Sequence, residues 1–429
     1  MATSRERTEL ALSRIADPSG EGKRSCLTVY AEAARHAADA ADARIMDHKQ
    51  IGPLDGVVIT IKDLFDVAGE VTRAGSAVLA KRGKKAAADA PAVKRLRAAG
   101  AVIVAKTNMT EFAFSGVGAN PHFGTPGNPA DRKRIPGGSS AGGAVACADG
   151  IGDITIGTDT GGSTRIPAAL CGIVGYKPTA SRIPRDGAYP LSFALDSIGP
   201  MARSVNDCFK ADAVMAAEVV EPLHAASLGG VRLGVVQGMP LEHMDATVAA
   251  TYEKALGKLA VTKRADVTLD MLSVMTAAND RGGIAPAEAW SIHRTLLTED
   301  GDGVDPFVRA RIMRAATMNV ADYIQNLHER EIGIARFNAV FDRFDVLALP
   351  TTPIVAPTQE EVATPEGFAA RNALLLRNTS IGNFFDLCAI SLPLRLGNAL
   401  PCGLMLFARH GGDRKLFEIA AAVEKALAA

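Results

Sequence analysis

Between Gly116 and Gly187 the chain is rich in glycine, serine, threonine and proline and has few long side chains, yet it lies inside a sequence of apolar strand-like runs. A stretch of this kind is either a flexible linker or a place where backbone packs closely. Linkers carry no strands, whereas Ile154-Thr155-Ile156-Gly157-Thr158 reads as one. The segment is therefore read as a site built largely from main chain. On its N-terminal side, Gly52-Pro53-Leu54-Asp55-Gly56 makes a turn into Val57-Val58-Ile59-Thr60-Ile61, a run suited to a strand buried on both faces. A helix around Ala90–Ala99 ends at Gly100, and Ala101–Ala105 forms a second buried strand. Strand, helix and strand at this spacing predict an α/β architecture.

The rest of the chain is organised around that core. Leu27–Asp47 is rich in alanine and charge and predicts a helix. From about Pro222 to Phe341 the segments are charged and helical, including Val320–Asn338, and predict a peripheral layer in which Trp290 packs. Buried-strand character returns at Asp345–Leu349 and Gly403–Phe407, before an amphipathic helix at Asp413–Leu427 capped by Asp413. At roughly 150 residues per domain, 429 residues would allow two or three domains, but large α/β units often run as one.

Composition removes several function classes. Lysine plus arginine and aspartate plus glutamate both number 47, which argues against a global field for nucleic acid or an anionic membrane. No window reaches the ~20 uninterrupted apolar residues of a membrane span. Met1–Arg7 carries Arg5, Glu6 and Arg7, unlike a secretory signal. The six cysteines form no CxxC pair, so reduced thiols and a cytoplasmic location are expected. No phosphate loop, dinucleotide fingerprint, HExxH or His/Cys cluster is present, so neither a cofactor nor a metal is expected.

Two serines invite a catalytic reading. Gly138-Ser139-Ser140-Ala141-Gly142 fits GxSxG, but a nucleophile elbow needs a preceding strand, and Asp131–Pro136 is not one. Ser163 has the better setting, since it follows the Ile154–Thr158 strand through Asp159-Thr160-Gly161-Gly162. Consecutive N–H groups beside a hydroxyl have the makings of an oxyanion hole. A tight turn with a serine N-cap, before a helix opening at Pro167, explains the same spacing, and spacing alone leaves both readings open.

The motifs decide further. Gly137-Gly138-Ser139-Ser140-Ala141-Gly142-Gly143, then Gly157-Thr158-Asp159-Thr160-Gly161-Gly162-Ser163-Thr164-Arg165-Ile166-Pro167-Ala168, resemble the signature of the amidase signature family. Cys171–Thr179, Asp196–Pro200, Ile61-Lys62-Asp63-Leu64-Phe65 and Lys106–Phe112 continue the resemblance, which is close from about Gly52 to Asp207 and looser beyond. It implies one amidase domain over residues 1–429, with a signature core at about 50–210, a helical layer at about 215–340 and C-terminal strands and helix at 341–429. The implied fold is a mixed central β-sheet covered by helices on both faces. The implied chemistry is hydrolysis of a linear amide through an acyl-serine, with Ser163 as nucleophile, Ser139 (after a cis Gly138–Ser139 peptide) as bridge and Lys62 as base. Backbone donors of Thr160, Gly161, Gly162 and Ser163 would form the oxyanion hole, and Arg165 a structural support. A homodimer is the family-level expectation.

Such a base makes a physical demand. Free lysine titrates near 10.4, and bringing it to about 7 takes about 4 kcal/mol, which a dry site can supply. Lys62 directly after an apolar strand suits that; a strand-end lysine reaching solvent beside Asp63 is the bland alternative. His122 is a weaker rival base, and Cys171 reads as core. The sequence departs from many members at Met405, where glutamine is common, and from the amidotransferase branch at Ile166. Three functions follow: a stand-alone hydrolase acting on a small-molecule amide, the glutaminase subunit of a tRNA-dependent amidotransferase, and a silent binding protein on the same fold. All three triad positions are filled, which argues against the last. The pocket walls are expected from about Pro222–Phe341 and Thr351–Asn383, with Phe384 and Phe385 as lining or core.

Overall fold

The β-branched runs from both ends of the chain meet in one sheet. The computed structural model describes residues 2–261 and 263–428. Its strands are β1 (Cys26–Val29), β2 (Val58–Lys62), β3 (Val102–Thr107), β4 (Ile154–Asp159), β5 (Val174–Lys177), β6 (Ser197–Ala202), β7 (Arg232–Val236), β8 (Lys263–Val267), β9 (Val346–Pro350), β10 (Cys388–Leu394) and β11 (Cys402–Ala408). They hydrogen-bond in the order β1-β3-β2-β4-β6-β5-β10-β11-β9-β7-β8. β3, β2 and β4 run parallel, as do β9, β7 and β8, and the strands between are antiparallel. Every residue of β2, β3, β4, β9 and β11 is buried, because helices cover both faces of the mixed sheet.

Three local expectations are corrected. Leu27–Asp47 is not helix throughout. Its first residues belong to β1, which pairs antiparallel with β3, and the helix spans Ala31–Met46. β-branched Thr28 and Val29 favour the strand at that sheet edge. The 222–341 segment is not only helical, since it contributes β7 and β8. The β8 sequence Lys-Arg-Ala-Asp-Val is exposed at four of five positions, as befits a charged strand closing a sheet edge. Asp413 does not spend its carboxylate on its own helix. It accepts from Tyr176 Oη at 2.6 Å, Thr179 N at 2.9 Å and Thr179 Oγ1 at 2.6 Å, tying the last helix to the turn after β5. Trp290, on the helix Ile284–Asp300, packs against the main apolar cluster. The six cysteines are unpaired and buried. Among the described residues no helix is long and apolar enough to cross a membrane.

Candidate active site

Lys62 ends β2, where a strand with all five residues buried delivers an amine into the interior. Nζ donates to Ser139 Oγ at 2.8 Å and to Thr158 Oγ1 at 3.0 Å. The side chain has no solvent exposure. Burial pulls its pKa down to about 7, against the opposing pull of Asp159 and Asp196. Near neutrality the amine thus exists substantially in its neutral form. The solvent-reaching alternative does not occur.

Ser139 follows a cis Gly138–Ser139 peptide. A Cβ on Gly138 would lie 2.7 Å from the Gly118 backbone, so this loop closes only around glycine. Ser139 O accepts from Thr110 N at 3.1 Å, and Ser140 N donates to Ser163 O at 3.3 Å, which stitches the two serine segments together. The helix Ala141–Ala148 then carries the chain away. Ser140 itself is preceded by no strand.

Ser163 sits in the turn between β4 and a helix that opens at Arg165, two residues earlier than expected. Asp159 organises that turn. Its carboxylate accepts from Gly162 N at 2.8 Å, Thr164 Oγ1 at 2.9 Å, Arg165 Nε at 3.0 Å, Arg165 Nη2 at 2.9 Å and Asn383 Nδ2 at 2.9 Å. Burial pushes this acid up, but the Arg165 guanidinium and these donors hold it well below the usual carboxylate range. Arg165 is fully buried and also donates to Asn383 Oδ1 at 2.8 Å, with Nη1 3.2 Å from Met405 Sδ. The Gly162 N–H is therefore committed to Asp159 and drops out of the expected donor set. The N–H groups of Thr160, Gly161 and Ser163 have no acceptor among the described residues, and neither does the Ser163 hydroxyl. Thr160 Oγ1 instead bonds Asp196, a carboxyl that burial raises.

Ser163, Thr160 and Gly161 face a cavity of about 760 Å³. Its walls come from the 113–115 loop, the 275–286 and 307–314 helices and the helix Pro365–Phe384. The helices lie in segments from which the wall is expected, whereas the loop, Leu191 and Leu195 lie outside them. Phe384 lines it, whereas Phe385 packs on Phe337 with ring centroids 5.0 Å apart. His122 bonds Glu111 Oε2 at 3.1 Å, and no hydrogen bond joins it to Ser139 or Ser163. Cys171 donates its thiol to Pro136 O and is core. Sequence reasoning missed Thr158, Asp159, Asp196 and Asn383 as functional positions. Asp159 carried a legible signal, a carboxylate six residues before an arginine across a Gly-Gly turn. Asn383 carried none, because it arrives from about 220 residues further along. Among the described residues no group of His, Cys, Asp and Glu could hold a metal.

The family model described as Amidase matches residues 6–417. The chain belongs to the amidase signature family. Among its curated relatives, the 2-amino-5-chloromuconic acid deaminase of Comamonas testosteroni is 36% identical over 91% of this chain and 86% of its own length. A glutamyl-tRNA(Gln) amidotransferase subunit from Symbiobacterium thermophilum is 33% identical over 98% of this chain and 93% of its own. Among solved structures, a chain from a vestigial protein complex described as revealing the evolutionary origins of an s-triazine catabolic enzyme superposes with a TM-score of 0.88 at 30% identity. That match covers 99% of this chain and 95% of the other. The amidase signature fold thus holds along the chain, and this protein is a hydrolase of that family.

Proposed function

We propose that the protein hydrolyses a carboxylic acid amide to the acid and ammonia or an amine through an acyl-Ser163 intermediate. The observation that carries this is the buried Lys62 Nζ–Ser139 Oγ bond of 2.8 Å, on an amine brought to about 7, beside a hydroxyl open to a cavity. In this reading Ser163 Oγ attacks the amide carbon while its proton passes to Ser139, whose own proton passes to Lys62. The Ser139–Ser163 contact is made when substrate seats, as catalytic hydrogen bonds commonly tighten only in the complex. The free N–H groups of Thr160, Gly161 and Ser163 receive the developing oxyanion. Lys62 returns the proton through Ser139 to the leaving nitrogen, the C–N bond breaks, and water then cleaves the ester by the same relay.

The similarity to an amidotransferase component over nearly the whole chain supports a second reading, glutaminase activity within a complex. Ile166 weighs against it: the side chain is fully buried in an apolar cluster with Val117, Ile135 and Leu375, where the glutamine of that branch would be out of place. The test is ammonia release by the purified chain from a panel of amides and from glutamine, with Ser163→Ala and Lys62→Ala alongside. Turnover lost in both variants supports the relay. Turnover retained in Ser163→Ala overturns it, and turnover of glutamine alone, rising when a partner protein is added, favours the second reading.

A further inference from the structure

The cavity facing Ser163 carries positive charge that its walls do not answer. Arg311, Arg314 and Arg377 line it, and none of them has a carboxylate partner among the described residues. Other buried arginine heads meet acids, as in Arg165–Asp159 and Arg182–Asp212, although Arg330, outside this lining, bonds only the Asn383 carbonyl among the described residues. Arg311 is half-buried. Its Nε donates to Phe114 O at 2.8 Å, and its guanidinium lies 4.6 Å from the centroid of the Phe114 ring. Those two contacts fix the plane of the head and leave both terminal amino groups without partners. Burial, with Arg314 nearby, pulls its pKa down to about 10, so the charge is held at a cost. Arg377 is engaged by the carbonyls of Pro240 and Glu242, and Arg314 is exposed. The one carboxylate in the lining, Asp280, is exposed and makes no ion pair among the described residues.

We propose that Arg311 receives a carboxylate of the substrate, so that the preferred substrate is a half-amide of a dicarboxylic acid with an apolar spacer. A guanidinium offers two parallel N–H donors matched to a carboxylate, and an anion there pairs a charge that is otherwise desolvated alone. The lining shared by Arg311 and Ser163 is largely apolar, including Leu195, Met275, Ile284, Phe368 and Leu376, which suits a hydrocarbon spacer. Arg314 and Arg377 add positive potential that draws anions to the cavity. This inference rests on the hydrolase reading above and narrows it to a substrate class.

The probes are the half-amides of the straight dicarboxylic acids from succinic to suberic, each against its neutral diamide. The expected result is a wild-type preference in kcat/KM for a half-amide of tenfold or more. Arg311→Gln should bring that ratio close to one through KM, and Arg311→Lys, which keeps the charge without the fork, should fall between. A wild-type ratio at or below one, or a ratio unchanged in Arg311→Gln, overturns the proposal. Calorimetry decides it independently of turnover: Ser163→Ala should bind the preferred half-amide at least tenfold more tightly than Ser163→Ala/Arg311→Gln, and equal affinities overturn it. Failure of the wild type to hydrolyse any of these amides, with that binding difference intact, would count against the hydrolase reading and leave the carboxylate site standing.

Discussion

At the scale of single residues, the proposed relay turns on a lysine that has to be uncharged to act. A protonated Lys62 cannot accept the relayed proton, and its pKa lies near 7. kcat/KM should therefore rise with pH through about 7 and level off above it, with activity lost as pH falls. A profile flat between pH 5.5 and 8.5, measured with a neutral amide, would remove Lys62 from the role of base. Lys62→Arg keeps a charge at every accessible pH and should cost about 10²–10⁴-fold, the usual worth of a general base. Lys62 was legible through the resemblance at Ile61–Phe65; the apolar run ahead of it suited a buried base but fitted a strand-end lysine reaching solvent as well. Its second partner, Thr158 at 3.0 Å, stood within the signature motif but had no chemistry of its own to single it out. The commitment of the Gly162 N–H was not legible either, since it depends on which way the Asp159 carboxylate turns.

At the scale of elements, two helices hold the Ser163 turn. The helix opening at Arg165 supplies the guanidinium, and the helix Pro365–Phe384 brings Asn383 between Arg165 and Asp159. Arg165→Leu would leave the fully buried Asp159 carboxylate without its counter-charge. It should lower stability by about 3–5 kcal/mol, the usual cost of breaking a buried pair, read as a shift in urea midpoint. A shift within the error of wild type would show that Asn383 and the backbone donors suffice. The same helix presses on the turn at Gly162, whose φ of +134° disfavours side chains and where a Cβ would overlap Thr379. Gly162→Ala should reduce kcat by an order of magnitude or more. Adding Thr379→Ala should recover only part of that, because the steric relief does not change φ; full recovery would mean that crowding was the whole effect. None of this pairing was readable from the C-terminal third, where the resemblance is looser and no motif singles out Asn383. Patterns of apolar period locate strands and helices, but the partner of an asparagine 224 residues from its aspartate is set by topology.

At the scale of the molecule, the central sheet crosses every segment that the sequence separated. The boundaries near 210 and 340 marked changes of composition, and the charged middle segment looked peripheral because β8 and the exposed helix faces dominate its residue content. Its inner contacts tell against a detachable layer. Glu288, buried on the helix Ile284–Asp300, accepts from Ala194 N at 3.1 Å and Tyr323 Oη at 2.7 Å, and from the Ser192 hydroxyl. On the same helix the His293 ring is tilted against Phe112, with centroids 4.1 Å apart, so the layer grips both the Phe112 segment and the Ser192–Ala194 segment, which Asp196 ties to Thr160. The single tryptophan, Trp290, lies between those residues and reports on this layer, whereas amide turnover reports on the Lys62–Ser163 region. If the chain is one cooperative unit, urea should quench both signals with the same midpoint, and far-UV circular dichroism should follow them. Glu288→Ala, which releases three bonds at once, should move the three midpoints down together. A Trp290 transition preceding loss of activity would instead make the middle segment a separate unit of stability, with the 215–340 layer folding onto a core that is already complete.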